Sequence, residues 1–282
     1  MLESKTRKIA RVPGSSSWFL PREHGATAML LIPIVCVTIL AREWRWSELA
    51  TLTAAFAALA AKDPMVVLAR QRFVWNQPHP ETAAAAKWFA GWLVILSLSG
   101  LVLLFTWPLR EFLIMGLGVG IFSALAIIVS VKNRQRSTLF QIASAVALTS
   151  SSLATCLSAT GRIAPWCMWL WFLMAIQPTA GILVVHSRLD ARVAARETMP
   201  ASEQFRHAAK VSLGVLLAAA VIAAILRRGW IALALLVVVA GYWYDLRRQR
   251  DIAALQTPLK TVGQRALALS SLFSGLLILG FW

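Results

Sequence analysis

Apolar and polar positions along the chain alternate in long blocks rather than in the short periods of a soluble fold. Nine apolar blocks, each bounded by charge or by Pro and Gly, run about 24–41, 47–61, 84–107, 112–131, 138–159, 164–186, 207–226, 229–244 and 264–282. A helix needs roughly 20 apolar residues to cross the hydrocarbon core. Most blocks approach that length, whereas 47–61 and 229–244 fall short and read as tilted partners or half-spans. The pattern predicts an all-α fold, a polytopic transmembrane helical bundle of about nine spans. Residues 1–20 form a basic tail, and 21–282 form one helical domain.

Composition agrees. Hydrophobic residues make up 59% of the 282 and charged ones only 14%, where a soluble domain carries about 25% charge. The opening residues, MLESKTRKIARVPGSSSWFL, are basic and polar, with no apolar run of signal-peptide type. Cys36, Cys156 and Cys167 lie in apolar stretches and read as buried thiols, not a disulfide framework.

The net charge of +16 would suggest nucleic acid in a soluble protein. Its placement points elsewhere. Of 28 Lys and Arg, 22 fall in alternate segments: the tail 1–23 and the connections near 62–87, 132–137, 187–210 and 245–265. By the positive-inside rule these face the cytoplasm, which puts the N-terminus inside, the C-terminus outside, and the chain in the cell (inner) membrane. Trp44, Trp46, Trp107, Trp166, Trp169 and Trp230 gather at the far side as interfacial anchors. The expected partners are the bilayer and its anionic headgroups, not nucleic acid.

All four histidines (His24, His79, His186, His207) and nine of twelve acids map to the basic rim. Ionisable groups at a lipid boundary tend to face each other or a wet cavity. In GILVVHSRLDARVAARE, a helix continuing past the membrane puts His186, Asp190 and Glu197 near one face and Arg188, Arg192 and Arg196 near the other. That arginine stripe fits anionic headgroups, or a phosphate or carboxylate clamp. In AKDPMVVLARQRF, Asp63 before Pro64 reads as a helix start with a carboxylate cap. In VKNRQRSTLFQ, Lys132 and Arg134 precede Ser137 and Thr138, which can cap the fifth helix. GLGVG, Gly116 to Gly120, lies inside an apolar block and reads as small-residue helix packing, not a phosphate loop.

PREHGATAMLLIP, Pro21 to Pro33, resembles the opening signature of the YwiC-like family of bacterial membrane proteins, with Thr27 where that family suggests Trp. LKTVGQRALALSSLF, Leu259 to Phe273, is similar to its closing segment, so the resemblance extends over about 18–282. The architecture is also similar to the UbiA superfamily of intramembrane prenyltransferases. That resemblance implies two acidic motifs, after the second and sixth helices, holding Mg²⁺ against a prenyl diphosphate. Asp63 and Asp190 are the matching metal ligands, one near each site, where the family has two or more acids per motif.

The reading that follows is an integral membrane protein that binds an isoprenoid- or lipid-like, diphosphate-headed substrate at a polar cavity on the basic rim. His24, Asp63, His186 and Asp190 are the candidates for chemistry, and Arg70, Lys132, Arg134 and Arg188 are the anion partners. If the protein is an enzyme, a prenyltransferase-like transferase using Mg²⁺ is implied. The alternatives are a small-molecule transporter, with Gln177 as a mid-span polar group and Pro33 and Pro178 as kinks, and an accessory membrane protein.

Overall fold

The computed structural model describes residues 24–75, 81–132, 134, 137–197 and 203–282. The tail 1–23 (with Arg22 and Glu23), His79 and Arg136 lie outside the described residues. The described residues form helices and no strand: α1 (His24–Ala41), α2 (Trp46–Arg70, continued by a π-turn at Gln71–Trp75), α3 (Thr82–Thr106), α4 (Leu109–Val131), α5 (Thr138–Thr149), α6 (Ser151–Thr160), α7 (Pro165–Glu197), α8 (Glu203–Ile225), α9 (Gly229–Arg248), the single turn α10 (Ile252–Leu255) and α11 (Leu259–Phe281). Among them, eight segments are long and apolar enough to cross a membrane, α5 and α6 counting as one, with α1 a shorter apolar helix beside them.

The two short blocks lie in helices long and apolar enough to span a membrane. The second runs over Trp46–Val74 and the eighth over Gly229–Arg248. Lys62, Asp63 and Pro64 end the apolar block without ending the helix. α2 passes straight through them, with Pro64 inside it, so Asp63 is not a cap. α7 also outruns the bilayer. At 1.5 Å per residue its 33 residues extend about 50 Å against a hydrocarbon core of about 30 Å.

Side-chain contacts fix two ends of the bundle. At one, Arg42 after α1 lies over the Trp282 ring, 4.2 Å from its centroid. There too, Ser47 of α2 donates to the Ser158 carbonyl of α6 at 2.9 Å, and Trp107 after α3 donates to Ser158 Oγ at 2.8 Å. Trp107 is therefore a buried donor, not a lipid-facing anchor; Trp44, Trp46, Trp169 and Trp230 are exposed, as anchors should be. At the other end α2 meets the end of α4, and α7 meets α5, α8 and the end of α9. α1 and α11 pack side by side and both finish at the first end, so the chain runs between the ends an odd number of times.

The core sits between α1, α7, α8, α9 and α11, around Leu170, Leu216, Leu235, Phe273 and Leu277. The small polar residues of α5 and α6 pack inward, with Ser152, Thr155 and Ser158 buried. In contrast, α3 and α4 present most of their surface outward. Gly116, Gly118 and Gly120 face open space on α4, so they pack against no neighbouring helix of this chain.

Cys156 and Cys167 correct another expectation, because they form a disulfide. Spacing of 11 along the chain says nothing about approach in space. Gly161, at φ +73°, closes α6 in the left-handed conformation, its N–H returning to Leu157. Pro165 opens α7 directly afterwards, which brings the two Cα atoms to 6.4 Å. Replacing both cysteines by alanine is expected to cost about 2–3 kcal/mol in unfolding free energy, by loss of a constraint on the unfolded chain. Denaturant unfolding in detergent checks this, and an unchanged midpoint would contradict it.

Candidate functional site

At the end where the basic residues collect, the rim side chains fall into two groups on different elements. The first joins α2 to α4. Arg70 Nη2 donates to the Ser130 carbonyl at 2.6 Å, satisfying one of the last carbonyls of α4. Lys132 and Arg134 follow that carbonyl and are exposed. Ser137 sits at the N-cap position of α5 but makes no capping bond with its side chain. Asp63 belongs to this side of the bundle through α2, whose main neighbours are α3, α4 and α6.

The second group centres on α7, whose neighbours are chiefly α5, α8 and α9. His186 lies about 32 Å along that helix, near where the hydrocarbon ends. Its Nε2 is 3.0 Å from Gln141 Oε1 of α5, and its ring stacks on Phe205 of α8 with centroids 5.5 Å apart. The next residue, Ser187, donates to Gln249 Oε1 at 2.8 Å, and Gln249 Nε2 returns to the Val184 carbonyl at 3.1 Å. These bonds lock the end of α9 to α7.

Arg188 is 95% buried and its Nη2 donates to the Ala254 carbonyl of α10. It therefore points into the bundle, not to headgroups. Asp245 of α9 lies within electrostatic reach of Arg188, Arg248 and Arg265, and Arg192 lies close enough to Arg188 to repel it. Three guanidiniums thus gather around one carboxylate, with Arg192 beside the buried one. They are graded outward: Arg188 buried, Arg192 and Arg248 half-buried, Arg265 exposed. Asp190, one helical turn beyond His186, has a buried Oδ2 without a hydrogen-bond partner.

The predicted candidates therefore fall on two sets of helices with different principal neighbours. His186, Arg188 and Asp190 belong to the α7 group, while Asp63, Arg70, Lys132 and Arg134 belong to the α2–α4 side. His24 is the first residue of α1. As a Mg²⁺ centre the arrangement does not fit: among the described residues no three of His, Cys, Asp and Glu are clustered, and Asp63 and Asp190 sit on helices with different principal neighbours. Asp245, Arg248 and Arg265 were not singled out from sequence. The available signal was an acid alone among basic residues in YWYDLRRQR.

Deeper in the bundle, Gln177 Nε2 donates to Tyr242 Oη at 2.7 Å and to Ser270 Oγ at 3.0 Å, joining α7, α9 and α11. Glu48 escaped attention as well. Only 1% exposed, it accepts from Thr38 Oγ1 at 2.7 Å and from the Arg45 N–H at 3.1 Å, so it is spent on tying α1 to the start of α2.

These features define an integral membrane protein, a polytopic bundle of apolar helices. Residues 20–156 match the model of the YwiC-like protein family. The opening signature lies within that match, which ends near the close of α6 and leaves Leu259–Phe273 outside it. No curated protein and no solved structure matches the chain.

Proposed function

We propose that the protein binds the anionic head of an isoprenoid- or lipid-like molecule at the α7–α9–α11 end. The observation that carries this reading is the excess of guanidiniums at this end: Arg188, Arg248 and Arg265 act on the one carboxylate of Asp245, and Arg192 adds a further cation beside Arg188. A buried cation without full compensation is costly, and guanidinium forks match phosphate oxygens in geometry and charge. A phosphate or diphosphate seated between Arg192, Arg248 and Arg265 offsets the mutual repulsion, and an apolar tail reaches lipid beside the exposed faces of these helices. The isoprenoid tail is taken from the likeness to UbiA prenyltransferases; the anionic head comes from the arginines.

The same reading puts the basic end in the cytoplasm and the chain in the cell membrane. Two observations support that orientation. The charge bias is one. The other is the disulfide at the opposite end, since disulfides persist in oxidising compartments. A transport reading has less support, because Gln177 is engaged by Tyr242 and Ser270.

The test uses the full chain in nanodiscs of zwitterionic lipid, with farnesyl diphosphate as probe. Saturable binding is expected, competed by pyrophosphate and not by farnesol. Arg192→Gln and Arg265→Gln should each weaken it about tenfold, the worth of one charge-assisted hydrogen bond. Equal affinity for farnesol, or unchanged binding in both variants, would end the proposal.

A further inference from the structure

The outward surface of α3 carries a shallow cleft of about 270 Å³, lined by Lys87, Trp88, Gly91, Trp92 and Ile95. Tryptophans and a lysine at a membrane boundary are ordinary anchors, and two details set this place apart. Gly91 leaves a notch one turn below Lys87, open enough that a Cβ there would meet nothing within 4 Å. The walls are ordered, with the Trp88 and Trp92 rings stacked at 6.2 Å and Trp92 edge-on to Phe56 at 5.9 Å.

Depth and charge select the occupant. Lys87 stands five residues after Thr82, about 7.5 Å below the start of α3 at the basic end, and Ile95 lies a further 12 Å along the axis. A single molecule filling the cleft therefore needs an anion near the headgroup level and an apolar chain deeper. A phospholipid has that sequence of groups: phosphate, then acyl chain.

We propose that this cleft is a binding site for an anionic phospholipid of the adjoining leaflet. The phosphate sits on Lys87, and an acyl chain lies across Gly91, against the Trp88 and Trp92 rings, toward Ile95. The site is separate from the arginine cluster: the principal neighbour of α3 is α2, whereas the cluster lies on α7, α9 and α11.

The experiment is native mass spectrometry of the full chain, titrated in detergent with phosphatidylglycerol or phosphatidylcholine. Wild type should retain one more phosphatidylglycerol than phosphatidylcholine at low lipid. Lys87→Gln should lower that retention about tenfold, and Gly91→Leu, which fills the notch, should abolish it. Position 91 is exposed, so the leucine variant keeps a folded bundle; should it not, the Lys87→Gln result decides alone. Retention of phosphatidylglycerol in Lys87→Gln equal to wild type, or equal retention of both lipids by wild type, overturns the proposal.

Discussion

Gly181→Val is expected to lower the unfolding free energy by about 3 kcal/mol, the sum of overpacking in a filled interior and a lost hydrogen bond. The cause lies across the α7–α9 seam. A Cβ at position 181 would stand 2.5 Å from Tyr242 Oη and 3.1 Å from its Cζ. Tyr242 is 4% exposed and its hydroxyl accepts from Gln177, so the ring has no free direction in which to retreat. The smaller Gly181→Ala gives a sharper test. It should cost about 2 kcal/mol alone but much less in a Tyr242→Phe background, because the atom it strikes first is then gone. A double-mutant cycle in detergent, read by denaturant unfolding, should give a coupling of about 1 kcal/mol or more. Strict additivity would mean that the seam is looser than its geometry.

The second large effect is expected at Arg188. Arg188→Leu removes the donor that holds the Ala254 carbonyl and leaves Asp245 with less opposing charge at close range. Hydrogen bonds from charged groups contribute about 1.5–3 kcal/mol, and a loss of that order is expected here. The local readout is more telling. Ala254 and Leu255 are buried beneath this contact, so α10 should lift, and trypsin should cut at Arg250 and Lys260 about ten times faster. Arg192→Gln, whose side chain holds nothing in α10, should leave cleavage unchanged. Equal cleavage of Arg188→Leu and wild type would show that α10 is held by its apolar side chains alone.

Most of the bundle was legible because hydropathy acts over whole turns. Its errors came where charge was read as a helix boundary. Lys62, Asp63 and Pro64 interrupt an apolar run, yet hydrogen bonding along α2 continues through them. The disulfide was hidden for a related reason: the closeness of Cys156 and Cys167 comes from the left-handed Gly161 and the turn to Pro165. At the basic end, periodicity placed Arg188 and Asp190 on different faces of one helix. It could not say which face met α9, so it leaves Arg188 open to headgroups or to an anion clamp, whereas the guanidinium points at α10. Asp245, Arg248 and Arg265 belong to two other helices, and only tertiary packing brings them to Arg188.

The seam between α1 and α11 has a consequence for biosynthesis. α1 must wait until α11, translated long after it, has inserted before this flank is covered, with Cys36 buried at that junction. A chain released before α11 is translated keeps an unfinished surface on α1. Prematurely terminated products should therefore be marked for degradation by an exposed α1, even when every earlier crossing has inserted correctly.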